Sequence, residues 1–184
     1  MTIIKQLYNA RYTYKRSLRG SRIELQQLMM LLEHDHYIHW SRCYQDLEVV
    51  SDIFWAHPDL VKLLNAFSVV LLMDSTYKTN KYRLPLLEIV GVRSMGLTFS
   101  VAFVLLSTER ENNFIWTLQR LKGLFFRGDV YPQVTVTDRD LGLINAINVV
   151  FPKATNILCR FHINKNVKAK CKVCLLYTSP SPRD

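Results

Sequence analysis

The stretch Val69-Val70-Leu71-Leu72-Met73-Asp74-Ser75-Thr76-Tyr77-Lys78-Thr79-Asn80 sets the terms for the rest of the chain. A short apolar run opening with adjacent β-branched residues ends abruptly in a carboxylate and passes into a polar, cationic loop. Such a run predicts a buried strand. Its end carries Asp74 to the rim of a sheet, where α/β proteins place binding and catalytic side chains. Val134-Thr135-Val136-Thr137-Asp138 has the same shape. If the two strands lie side by side and parallel, Asp74 and Asp138 meet at one rim.

Working outward, the loop after Asp74 carries Lys78, Lys81 and Arg83. Two apolar runs follow, Leu84 to Val92 and Leu97 to Leu106. They are separated by the polar break Arg93-Ser94-Met95-Gly96, which predicts a hairpin. Thr108-Glu109-Arg110-Glu111 reads as a capping box opening a helix with Phe114, Ile115, Leu118, Leu121 and Phe125 on one face. After the Val134 strand, a helix is expected from about Arg139, stopped by Phe151-Pro152. A short strand from Asn156 to Cys159 and a basic helix from near Ile163 come next. The order β-β-β-α-β-α-β-α predicts a mixed α/β sheet: three antiparallel strands, then parallel strands added through right-handed crossovers.

Upstream, residues 1–66 read as helical. Ile23, Leu25, Leu28, Met29, Leu31 and Leu32 give an apolar face, with Ser21 as cap and Glu24 three residues later. Lys5, Arg11, Lys15, Arg16, Arg19 and Arg22 precede this helix without an acid, which suits either a DNA-phosphate arm or a solvated helix face. His34, Asp35, His36 and His39, with Cys43 nearby, match no metal-ligand spacing and suit a strand or an exposed turn. Pro58, with Asp59 beside it, marks a helix start. The organisation expected is a helical segment over 1–66, a core over 67–173 and a tail over 174–184.

With 184 residues, 49% of them hydrophobic, the chain can bury a substantial core. A formal charge of +9 and a pI near 9.5 point to a polyanionic partner, most often nucleic acid. The longest apolar run falls short of the ~18 residues a membrane span needs, so no membrane role is expected. The four cysteines, with no signal peptide ahead of them, suggest free thiols in a reducing compartment.

Two carboxylates forced together stay ionised when a cation lies between them. Hard oxygen ligands suit Mg2+ or Mn2+. Two such ions ~3.5–4 Å apart support in-line phosphoryl displacement. The same residues allow plainer roles: Asp138 and Asp140 as helix N-caps, and Asp74 capping its own turn.

Leu72 to Asn80, Pro85-Leu86-Leu87, Thr137-Asp138-Arg139-Asp140-Leu141, Phe151-Pro152 and Cys159-Arg160-Phe161-His162-Ile163-Asn164-Lys165-Asn166-Val167 occur in this order. Together they resemble the transposase core of Mutator-like elements, including the plant far-red-impaired-response related proteins, over roughly residues 50–172. The resemblance implies an RNase H-like fold, a DDE triad, divalent-metal-dependent DNA strand cleavage and transfer, and a nuclear location. It implies element-terminal inverted repeats as the DNA partner and is compatible with an oligomer. Asp74 carries over as the first acid and Asp138 as the second, both as Mg2+ or Mn2+ ligands. Cys159 and His162 carry over as the Cys-x-x-His element. Lys78, Lys81, Arg83, Arg139 and Lys165 are the expected DNA contacts.

The third acid of the family, a Glu, is expected beyond His162 after a helical insertion, past the end of this sequence. The chain alone is therefore expected to be inactive, with residues from 174 a non-native tail. Glu88 reads as mid-strand, and Glu109 and Glu111 as parts of a cap. Cys159 and His162 with Cys171 and Cys174 imitate a four-ligand zinc site, but a structural pair is the preferred reading. The alternative function is a domesticated, DNA-binding transcription regulator without catalysis. A small RNase H-type nuclease is disfavoured because no carboxylate lies between Asn112 and Phe125.

Overall fold

A computed structural model of the chain describes residues 23–43, 49–77 and 79–177, with side chains in the last helix up to residue 171. The chain divides into two compact units, Met1–Ile38 and His39–Asp184. In the first, helix α1 (Glu24–His34) buries Leu32. It ends with the Tyr37 N–H bonded to the Leu32 carbonyl at 2.8 Å and His36 in the left-handed region at φ 54°. This is a Schellman-type stop with histidine where glycine is usual.

The second unit is built on a seven-stranded mixed sheet among the described residues, in the order β1-β2-β5-β4-β3-β6-β7. The strands are β1 (Ile38–Cys43), β2 (Val50–Ala56), β3 (Val70–Thr76), β4 (Leu86–Val92), β5 (Thr98–Leu105), β6 (Val134–Thr137) and β7 (Thr155–Leu158). The helices are α2 (Pro58–Ala66), α3 (Glu111–Lys122), α4 (Leu141–Val150) and α5 (Arg160–Tyr177). Strands β3, β4 and β5 form the antiparallel meander. β6 then joins β3 in parallel, and β7 joins β6 in parallel. This is the mixed sheet expected from the sequence, three antiparallel strands followed by parallel ones.

The helical reading of residues 1–66 needs correction. Residues 38–43 and 50–56 are strands that extend the sheet beyond β5. Val50-Ser51-Asp52-Ile53-Phe54-Trp55-Ala56 is β-branched and aromatic and is buried at Ser51 through Phe54, as a strand covered on both faces should be. Such a strand shows no alternation to separate it from a buried helix. Trp55 stacks on Phe103, its cross-strand partner in β5, with ring centroids 5.8 Å apart. Residues 1–22, with the basic cluster and Ser21, lie outside the described residues. The described cap of α1 is Ile23, whose N–H donates to Gln26 Oε1 at 3.2 Å, so Glu24 opens the helix rather than closing a capping box.

Alternation along β3 and β4 sorts the two faces of the sheet. Leu71, Met73, Leu87 and Ile89 share one face and are at most 2% exposed. Thr135 and Thr137 of β6 are buried on that face too, and both hydroxyls bond to Asn156 Oδ1, at 3.0 and 3.3 Å. The opposite face carries Leu72, Asp74, Glu88 and Val90. A period of two therefore decides that Asp74 points away from the core.

Candidate metal and nucleic-acid site

The geometry follows from register. In the parallel β3–β6 pair Leu72 lies opposite Val136 and Met73 opposite Thr137. The next residues on the two segments are Asp74 and Asp138, at the same end of the sheet. Asp74 is 58% exposed at its side chain. Asp138 is half-buried, and its Oδ1 accepts the Asp140 N–H at 3.2 Å. Asp140 is the N-cap of α4, accepting the Leu143 N–H at 2.8 Å. The plainer N-cap role thus belongs to Asp140 rather than Asp138, and α4 starts at Leu141 rather than Arg139.

The Cys-x-x-His segment lies over this end of the sheet. The Cys159 N–H donates to the Thr137 carbonyl at 2.7 Å, tying the segment to the residue before Asp138. The Ile163 N–H donates to the Cys159 carbonyl at 3.0 Å and closes the first turn of α5, which begins at Arg160 rather than near Ile163. His162 Nε2 then lies 3.7 Å from Asp74 Oδ1. Two small cavities flank the histidine. One, of about 310 Å3, is bounded by Asp74, Glu88, Val136, Cys159 and His162. The other, of about 260 Å3, is bounded by Asp138, Arg139, Cys159, His162 and Lys170.

Two acids dismissed on sequence grounds lie close to this site. Glu88 pairs directly with Asp74 across the antiparallel β3–β4 ladder, and its Oε1 accepts the Ser100 hydroxyl at 2.5 Å. Glu109 is not part of a capping box. The N-cap of α3 is Arg110, which makes no side-chain cap bond, and Asn113 donates to Thr108 Oγ1 at 3.3 Å. Burial pushes the Glu109 carboxyl above the usual glutamate range; Asp140 and Asp138 add to that, and Ser75 partly offsets it. The Ser75 hydroxyl itself is buried and makes no bond of full hydrogen-bonding geometry. The hairpin register that sets Glu88 opposite Asp74 was the one signal that could have found it.

The loop is pinned from behind by Asp52, which is 1% exposed on β2. Its Oδ2 accepts from Arg42 Nε at 2.6 Å and Ser51 Oγ at 2.8 Å. Its Oδ1 accepts the Ser107 N–H at 2.9 Å, with Ser107 Oγ and Asn113 Nδ2 each at 3.3 Å. Ser107 and Asn113 bracket Glu109, so a buried carboxylate on one strand fixes the entry to α3.

Of the expected DNA contacts, Lys81, Arg83, Arg139 and Lys165 are exposed, whereas Lys78 lies outside the described residues. Arg83 holds a left-handed φ of 56°, in a loop where Asn80 bonds to both the N–H and the carbonyl of Leu84. As a donor set, Asp74 and Asp138 are hard oxygen ligands of the type Mg2+ and Mn2+ take. Among the described residues no three His, Cys, Asp or Glu converge on one point that could hold an ion. The side chain of Cys174 lies outside the described residues. No described helix is long and apolar enough to cross a membrane.

The chain is 32% identical over 124 residues to Protein FAR1-RELATED SEQUENCE 5 of Arabidopsis thaliana, a match covering 66% of this chain and 15% of that protein. It is 30% identical over 140 residues to the PKS-NRPS hybrid synthetase cheA of Chaetomium globosum, covering 75% of this chain and 3% of that protein. The chain thus spans a small part of the curated relatives it matches. Among solved structures it is similar to the HTLV-2 integrase catalytic core domain in complex with magnesium, with TM-score 0.34 and 15% identity over 63% of this chain and 77% of that one. The family model for the MULE transposase domain matches residues 70–166, from β3 to the second turn of α5, and the chain belongs to that family.

Proposed function

We propose that this chain is the part of a Mutator-like DDE transposase that holds the first two acids, Asp74 and Asp138, as ligands for Mg2+ or Mn2+. The intact parent would cleave and transfer DNA strands. The observation that carries the reading is the parallel register with Met73 opposite Thr137, from which Asp74 and Asp138 are the next residues at one sheet end. Divalent cations bound there supply water activation and charge neutralisation at the leaving oxygen. The chain's own residues hold those carboxylates in place. Asp140 keeps the turn after Asp138 closed, and the Cys159 N–H fixes the strand end before it. Lys81, Arg83, Arg139 and Lys165 are proposed to hold the DNA backbone, an interaction that weakens as salt rises. The parent would work in the nucleus on element-terminal inverted repeats.

A second reading is a domesticated regulator that keeps the fold and binds DNA without cutting it, favoured by the similarity to FAR1-RELATED SEQUENCE 5. Calorimetric titration of the 184-residue chain with Mn2+ separates the two. The transposase reading expects saturable binding that is lost in Asp74→Asn and in Asp138→Asn. Binding unchanged in both variants would overturn it.

A further inference from the structure

We propose that His162 is a positioning residue for Asp74, orienting its carboxylate toward the bound cation. This rests on the reading of Asp74 and Asp138 as metal ligands and adds a task for the Cys-x-x-His element. Three observations carry it. The first is the contact: His162 Nε2 lies 3.7 Å from Asp74 Oδ1, and no other described side chain is in ion-pair range of Asp74. The second is the state of the ring. His162 Nδ1 is buried and has no hydrogen-bond partner, while its side chain is only 26% exposed. The ring therefore presents Nε2, and not Nδ1, to Asp74.

The third is the mounting. Cys159 bonds to the Thr137 carbonyl beside Asp138, and three residues later His162 reaches Asp74. One helical turn therefore spans the two strand ends and adjoins both flanking cavities. Asp74 needs this help. Its side chain is 58% exposed at the end of β3, and its cross-strand neighbour is Glu88, which is engaged by Ser100 and offers no donor. At 3.7 Å the ring nitrogen lies on the Oδ1 side of the carboxylate, within ion-pair range and beyond a hydrogen bond, and leaves Oδ2 to face the cation. Partners of this kind, one bond removed from the ion, set the orientation and strength of metal-bound carboxylates.

The test is Mn2+ affinity of the full chain, measured calorimetrically for wild type, His162→Ala, His162→Gln and Asp74→Asn. Loss of such a partner weakens metal binding by roughly 10-fold or more, and His162→Ala is expected to do so. A Gln amide can place an N–H on the same side of the carboxylate and is expected to restore most of the affinity. Wild-type affinity in His162→Ala, or an equal loss in His162→Ala and His162→Gln, overturns the positioning role alone. Failure of Asp74→Asn to weaken Mn2+ binding overturns the metal-site reading and this inference with it. Circular dichroism of each variant identifies a fold defect, in which case His162→Gln against wild type decides.

Discussion

Replacing Asp52 by Asn tests whether a buried carboxylate organises the approach to α3. The side chain is 1% exposed and faces donors from Arg42, Ser51, Ser107 and Asn113. Asn keeps the volume, but it removes the charge and turns an NH2 group toward at least one of those donors. Removing one partner of a buried charged pair costs about 3–5 kcal/mol. Arg42 is 32% exposed, and its guanidinium can regain water, which places the estimate at the low end, about 3 kcal/mol. For a domain of this size each kcal/mol shifts Tm by roughly 2–4 °C, so Asp52→Asn should lower Tm by about 6–12 °C. Denaturant unfolding followed by circular dichroism reads the same loss as a lower midpoint at unchanged slope. A destabilisation below ~1 kcal/mol, within the range of an ordinary surface change, would refute the reasoning.

Two further outcomes follow from local geometry. Because the folded Glu109 carboxyl titrates above the usual value of 4.5, the folded state binds its proton more tightly than the unfolded chain does. Its contribution to stability is therefore full below that value and is lost as pH rises through the raised one. Glu109→Gln should match wild type in acid and gain on it toward neutrality, and parallel pH–stability curves would contradict this. At Gly91, an added Cβ would sit 2.4 Å from Phe99 Cζ, so Gly91→Ala must displace the ring covering that strand pair. A loss of about 1–3 kcal/mol in chemical unfolding is expected, and none would mean that Phe99 moves aside freely.

The part of the fold that surrounds the site was legible because its signals are local. Arg93-Ser94-Met95-Gly96 punctuates a hairpin, and Gly96 takes the left-handed φ of 75° that the turn requires. Asp74 and Asp138 end apolar runs, and the crossover rule for parallel strands puts those runs side by side. The missed features depend on distant partners. β2 is buried on both faces and so carries no alternation, while β1 has a pattern only in the context of β2. The helix cap expected at Thr108 failed because Asp52, far away in sequence, takes Ser107 and Asn113 into its own network. That displacement frees Glu109 from the cap and brings it beside Asp138 and Asp140, where spacing alone assigned it a trivial role. The reach of His162 to Asp74 depends on where α5 begins, one residue after Cys159, which the basic composition of that helix does not fix.

The most direct measurement is an anomalous difference map from crystals of this chain grown with Mn2+. If the acids at the ends of β3 and β6 share a divalent ion, the strongest peak lies between the carboxylates of Asp74 and Asp138, at about 2.0–2.3 Å from an oxygen of each. That peak disappears in Asp74→Asn. A map with no density between these side chains, or a manganese ion bound elsewhere while both carboxylates turn apart, would contradict the proposal.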